Sequence, residues 1–223
     1  MITLPQNPDA VIFDMDGTLL DSETLARAAF MLAIVDLGFD YQAETYNRCI
    51  GTSHAGTEAI LRAAYGPTYD HSQLHERWTA RFLAHKQDNP IAVKPGVLRV
   101  LEALVSRSIP MAVATSNRRD VCEQHLQEAG LRGYFGHLVC ADEAGLTKPA
   151  PDPYLLAARK LNVRPAGCWA VEDSATGVLS AYRAGLRVFH VPDASIESMP
   201  ANQIHPHSTV LERVDELLQY MVV

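Results

Sequence analysis

Two aspartates spaced by one residue follow the short apolar run Ala10–Phe13, in the segment Asp14-Met15-Asp16-Gly17-Thr18. In an extended chain, side chains two apart share a face. Both carboxylates are therefore expected to face one pocket, and Gly17 lets the chain turn sharply after them. Like charges so close repel, which calls for a cation or a shared proton. A second acid pair, Glu172–Asp173, follows another apolar run, Cys168–Val171. Asp14, Asp173 and a backbone carbonyl would make a hard-oxygen site of the kind that suits Mg²⁺. Each pair also has a plain structural reading. An aspartate after a strand is commonly a turn residue, and Asp173 could cap a helix starting near Ser174.

Two further clusters sit where they could join these acids. Thr115, Ser116 and Asn117 follow the apolar run Met111–Ala114 and precede a helical stretch. Hydroxyls and backbone N–H groups at a helix N-terminus can hold phosphate, although Ser and Thr are also common caps there. Lys148 lies in a stiff loop before Pro149 and Pro151. Most loop lysines are solvated; one fixed near two carboxylates would neutralise phosphate charge.

Positioning these groups requires a particular frame. Residues 22–37, 42–50, 54–65 and 71–87 have helical spacing, with Ser22 as the N-cap and Gly38 as the stop of the first. No strand is expected between positions 20 and 92. From Val93 onward, strands and helices alternate: helix after Pro95–Gly96, strand 111–114, helix 118–129, strand 138–140, helix 153–161, strand 168–171, helix 175–184, strand 187–191 and a last helix at 210–221. This alternation predicts an α/β fold with a parallel sheet and helices on both faces. The first strand would join that sheet from before the helical stretch. The core is then discontinuous, residues 1–19 and 93–223, with 20–92 inserted and hinges at Leu20–Ser22 and Asn89–Lys94. In such sheets ligands bind at the carboxyl ends of the strands, where all four clusters fall.

Composition narrows the class. With 223 residues, 48% of them hydrophobic, the chain can bury a full core. A net charge of −7 argues against a general nucleic-acid binder, while a small phosphorylated substrate needs only a few local cations. Cys49, Cys122, Cys140 and Cys168 lack metal or CxxC spacing and read as free thiols of a reducing compartment. No run approaches the ~20 apolar residues of a membrane span, so a cytoplasmic protein without membrane or nucleic-acid partners is expected, as a monomer or weak homo-oligomer.

The four clusters together resemble the motifs of the haloacid dehalogenase superfamily. VIFDMDGTLLDSE is similar to the first motif, ATSN at 114–117 to the second, KPAPDPY from Lys148 to the third, and VEDSATGVLSA from Val171 to the fourth. The resemblance implies a Rossmann-like core with an inserted helical cap of type C1 (subfamily I), nearest the β-phosphoglucomutase-type phosphatases. It implies Asp14 as a nucleophile that takes up a phosphoryl group, and Asp16 as general acid and base. Thr115 or Ser116, with Asn117, would hold phosphoryl oxygens, and Lys148 would bridge nucleophile and phosphate. Mg²⁺ would be held by Asp14, the carbonyl of Asp16, Asp173 and Glu172.

The same resemblance orders the alternatives. Phosphomutases of this kind carry a histidine in the first cap helix, where this chain has Ala26, which favours hydrolysis. A haloacid dehalogenase would not need Asp16 or a metal. A phosphonate-cleaving enzyme would want a cap lysine, and residues 20–70 contain none. A non-catalytic phosphate-binding module would not need the full set of acids. The cap would contact the leaving group, with candidates Arg48, His54, Thr57, His75, Arg77, Arg81 and His85. His54 is favoured because it follows Gly51-Thr52-Ser53 at a turn into a helix, and a small phosphorylated metabolite of the sugar-phosphate type is the expected substrate.

Overall fold

The computed structural model describes residues 7–50, 52, 54–192 and 206–222. Along the chain, β1 (Ala10–Phe13) leads into α1 (Ser22–Asp36), α2 (Ala43–Cys49), α3 (His54–Tyr65), α4 (His71–Asp88) and α5 (Val97–Ser106). Next come β2 (Met111–Ala114), α6 (Arg119–Glu128), β3 (His137–Val139) and α7 (Asp152–Lys160). β4 (Cys168–Glu172), α8 (Ala175–Arg183), β5 (Arg187–His190) and β6 (Ser208–Val210) complete the frame.

The six strands form one sheet in the order β3-β2-β1-β4-β5-β6, and every neighbouring pair is parallel. β1 is central and flanked by strands from later in the chain, so its carboxyl end lies at the point where the strand order reverses. That crevice is where doubly wound α/β sheets bind ligands. β1 and β4 are fully buried along their lengths, which explains their unbroken apolar runs. Ala112, Ala114 and Ala170 keep the sheet surface low, so that Tyr154 and Ala157 of α7 and Val178 and Ala181 of α8 pack closely on it.

The chain forms two compact units, Met1–Leu20 with Val93–Val223, and Asp21–Ala92. The inserted unit has its own core of Phe30, Ile34, Tyr46, Leu61, Tyr69 and Leu74, with Trp78 packed against it. Phe30 meets the Trp78 ring edge to face at 5.2 Å, and the Trp78 indole N–H donates to the Ala26 carbonyl at 2.9 Å.

Three sequence expectations need correction. The segment 210–221 is not one helix. Ser208–Val210 adds a sixth strand, paired through Phe189↔Thr209, and Val214–Tyr220 is a short 3₁₀ helix. The spacing of Val214, Leu217 and Met221 imitates an α-helix, while a three-residue edge strand is too short to show a period. Ser22 is the first helical residue rather than the cap; that position belongs to Asp21. The third strand ends at Val139, one residue earlier than expected.

Candidate active site

Backbone pairing brings the candidate residues to one edge. Asp14 donates its N–H to the Val171 carbonyl at 2.9 Å, and Thr115 does the same to Val139. Each continues its strand by one residue, so Asp14 stands level with Ala114 of β2 and Glu172 of β4, with Thr115 one residue beyond Ala114. After Asp14 the chain winds tightly: Leu19 and Leu20 both donate to the Met15 carbonyl, and Gly17 donates to the Leu20 carbonyl.

The centre of the site is a buried lysine between two carboxylates. The Lys148 ammonium donates to Asp14 Oδ1 at 2.5 Å and to Glu172 Oε1 at 2.6 Å. Lys148, Asp14 and Glu172 are 5%, 7% and 0% exposed, so this triad is screened little by solvent. The Tyr154 hydroxyl donates to the same Glu172 oxygen at 2.6 Å, and Ser174 Oγ to Oε2 at 3.3 Å. Burial pushes the Asp14 carboxyl well above its ordinary range; Lys148 opposes this, and the charges of Glu172 and Asp16 add to it. For Lys148, burial works against the charged form, but Asp14 and Glu172 outweigh it and raise the ammonium above its usual value. A cation is therefore already required to hold the acids together.

Asp173 faces the same point from the other side. Thr18 Oγ1 donates to its Oδ1 at 3.2 Å, and the His190 ring nitrogen Nε2 lies 2.9 Å from its carbonyl. Asp173 does not cap the following helix. Ser174 does, accepting from the Gly177 N–H at 3.1 Å. Gly17 has φ +77, and a Cβ there would stand 2.2 Å from Asp173 Oδ2. Gly177 plays a matching part for Glu172, whose Oε1 would meet a Cβ at 1.9 Å. Two glycines thus leave room for the two acidic side chains.

Asp14, Glu172 and Asp173 offer carboxylate oxygens that all lie within 4.8 Å of one another. This all-oxygen donor set fits a hard divalent cation. Both oxygens of Glu172 also accept hydrogen bonds, from Lys148, Tyr154 and Ser174. The Asp16 carboxylate is not part of this trio; its Oδ2 accepts from Asn117 Nδ2 at 2.5 Å. Thr115 Oγ1 accepts from the Asn117 N–H at 3.1 Å, and Ser116 is half-buried between them. These three lie in the loop before α6, whose cap position is Arg118, so the Thr115 and Ser116 hydroxyls are not spent on capping it.

In the inserted unit, His54 begins α3 and packs against His71 and His75. Gly51 and Ser53, which mark the expected turn before it, lie outside the described residues. Arg81 is engaged by Asp36 at 2.7 Å, and Thr57 is buried with its hydroxyl 2.9 Å from that of Thr52. Sequence reasoning missed Tyr154, Thr18 and Ser174. Tyr154 was visible within KPAPDPY, but an aromatic at that spacing reads equally as helix core.

Comparison with known proteins agrees with this geometry. A family profile for haloacid dehalogenase-like hydrolases matches residues 11–191. The protein CbbY of Cereibacter sphaeroides is 34% identical over 199 residues, covering 82% of this chain and 84% of that one. A phosphorylated carbohydrates phosphatase of Thermotoga maritima is 32% identical over 188 residues, covering 82% and 85%. The crystal structure of CbbY from Rhodobacter sphaeroides with xylulose-1,5-bisphosphate superposes with a TM-score of 0.80 at 27% identity, covering 97% of this chain and all of that one. Motifs, sheet order and relatives together place this chain in the haloacid dehalogenase-like hydrolase family.

Proposed function

We propose that this protein hydrolyses monoesters of small phosphorylated metabolites of the sugar-phosphate type, with Mg²⁺, through a phosphoryl group carried on Asp14. The observation that carries this reading is the buried Lys148 ammonium lodged between Asp14 and Glu172 at the carboxyl edge of the sheet. The family is one of hydrolases, and the relatives named for phosphorylated carbohydrates or solved with a sugar bisphosphate point to the substrate class.

In this reading Asp14, Asp173 and the Asp16 carbonyl hold the metal, with Glu172 anchoring Lys148 beside it. When bound, Mg²⁺ would offset negative charge on the transferring oxygens. Lys148 fixes one Asp14 oxygen, and the other attacks phosphorus. The phosphorus–ester oxygen bond breaks, and the leaving alkoxide takes a proton from the Asp16 carboxyl. Water then attacks the phosphoryl group while Asp16 accepts its proton, so inorganic phosphate leaves and Asp14 is restored. Splitting the displacement in two lowers each barrier, and general acid–base help is typically worth ~10²–10⁴-fold. Asn117 steers Asp16 through its amide, and Thr115 with Ser116 receives phosphoryl oxygens. The unit Asp21–Ala92 acts as the cap that selects the ester, with His54 among its candidate substrate contacts. Where a mutase would place a histidine stands Ala26, whose carbonyl is used by Trp78. A cytoplasmic setting is consistent with the four buried, free cysteines. Among the described residues, no helix is long and apolar enough to cross a membrane.

The test is a panel of phosphorylated metabolites with Mg²⁺, reading phosphate release. Sugar phosphates are expected to turn over and Asp14→Asn to release none. Appreciable turnover by Asp14→Asn would sink the covalent route.

A further inference from the structure

Three histidines share one groove of the inserted unit. His54 opens α3, and His71 and His75 stand one turn apart at the start of α4. Their ring centres are 4.7 Å (His54–His71), 4.9 Å (His54–His75) and 6.4 Å (His71–His75) apart. The groove, about 700 Å³, is also lined by Glu58, Arg62, Asp70 and Glu76. His71 is 93% buried, being 7% exposed. Its Nδ1 is tied to the Tyr69 hydroxyl at 2.5 Å, while its Nε2 is buried without a hydrogen-bond partner. A buried polar atom left unpaired in a native fold calls for an explanation.

We propose that His54, His71 and His75 form a binding site for one divalent transition-metal cation of the Zn²⁺ class. Tetrahedral ligation at a metal–nitrogen distance of ~2.1 Å sets ring centres roughly 5 Å apart, within the spread observed here. His71 is the fixed ligand: its Nδ1–H would donate to Tyr69, which presents Nε2 in the form a metal needs, as outer partners of metal-bound histidines do. His54 and His75 now pack edge to face, but both are exposed. Their nitrogens do not yet converge on one point, so ligation requires both exposed side chains to rotate inward. Glu58, one turn beyond His54, is the fourth donor, exchanging from Arg62, which it now meets at 2.9 Å.

The surrounding charge favours a cation over an anion. Three carboxylates line the groove against one guanidinium. The N-termini of α3 and α4 oppose a cation, but Asp70 already accepts from the Ser72 and Gln73 N–H groups of α4. Burial, with the His54 charge adding, holds His71 and His75 below the ordinary imidazole value, which favours the neutral rings that a metal binds. Imidazole donors favour Zn²⁺, Ni²⁺ or Cu²⁺ over Mg²⁺ or Ca²⁺.

The experiment is calorimetric titration of the full chain with Zn²⁺ in excess Mg²⁺, added to fill the Asp14–Asp173 site of the proposed function. One equivalent is expected to bind, equally in wild type and in Asp173→Asn. His54→Ala and His75→Ala, at exposed positions, should each weaken it at least about tenfold, with unchanged circular dichroism of the metal-free proteins. Protons should compete, so affinity falls as the pH drops through the imidazole range. Zinc binding that survives both histidine changes, or vanishes in Asp173→Asn, overturns the site. So does His54-dependent binding of inorganic phosphate by the zinc-free protein at pH 6.

Discussion

Gly17→Ala is a one-carbon change that tests how Asp173 is held. At φ +77 the backbone is left-handed, which costs an alanine roughly 1–2 kcal/mol. The larger effect is local. The new Cβ would sit 2.2 Å from Asp173 Oδ2, whereas ordinary contact begins near 3.4 Å, so the carboxylate must retreat by about 1.2 Å. That movement also strips the Thr18 hydroxyl from Oδ1. A misplacement of ~1 Å in a catalytic arrangement can cost about 10²-fold, equivalent to ~2.7 kcal/mol of transition-state stabilisation. Steady-state hydrolysis of a generic phosphate ester over a range of Mg²⁺ concentrations reads the effect. kcat/KM should fall about 10²-fold and the Mg²⁺ needed for half-maximal rate should rise, while the protein stays folded. Gly177→Ala is the contrast: it displaces Glu172 instead, and with it the anchor of Lys148, so it should destabilise the fold as well. If Gly17→Ala keeps kcat/KM within about threefold at unchanged Mg²⁺ demand, Asp173 has no part in the metal site.

Two other outcomes follow from buried charge. Lys148→Met leaves Asp14 and Glu172 buried without their cation, and losing one partner of such a pair costs about 3–5 kcal/mol; urea unfolding should show it, together with loss of turnover. An unchanged midpoint would mean that Lys148 is not what holds the acids together. The second outcome concerns pH. Burial, aided by the charge of His54, keeps His71 below the usual imidazole value; Glu58 opposes this, while His75 and Arg62 reinforce it. The unfolded chain, near 6.5, therefore takes up the proton first. The His71 contribution to stability is full above about pH 6.5 and is lost as the pH falls through the lowered folded value. Thermal melts of metal-free His71→Gln should accordingly show a flatter acid limb than wild type, and parallel limbs would refute the assignment.

The frame was legible because strong patterns carried it. Ala10–Phe13 and Cys168–Val171 are buried on both faces, so their apolar runs are unbroken, and helices such as α5 show a clear period. Asp14, Lys148 and the pair Glu172–Asp173 were legible as three separate clusters, and the fold brings them into one. What escaped was the division of labour among them. Nothing in the sequence says that Glu172 spends both oxygens on Lys148, Tyr154 and Ser174, because that depends on where α7 and α8 press against the sheet. Nor could spacing show that Ser174, rather than Asp173, caps α8. Strand β6 escaped because three residues at an edge have no period to detect, and the histidine groove because its members come from two helices separated by a turn.

The junction between the two units has a further consequence. Leu20 and Val93 form an antiparallel bridge, flanked by Asp21 N–H donating to the Ala92 carbonyl and Lys94 N–H to the Leu19 carbonyl. The chain therefore leaves the sheet-bearing unit and returns to it at adjacent points, about 5 Å apart across such a pair. A hairpin turn of two residues spans that gap. The 72 residues Asp21–Ala92 thus enter and leave through adjacent backbone points, so exchanging them need not shift the register of any strand. Under the proposed function, swapping this one contiguous segment between relatives should transplant substrate preference.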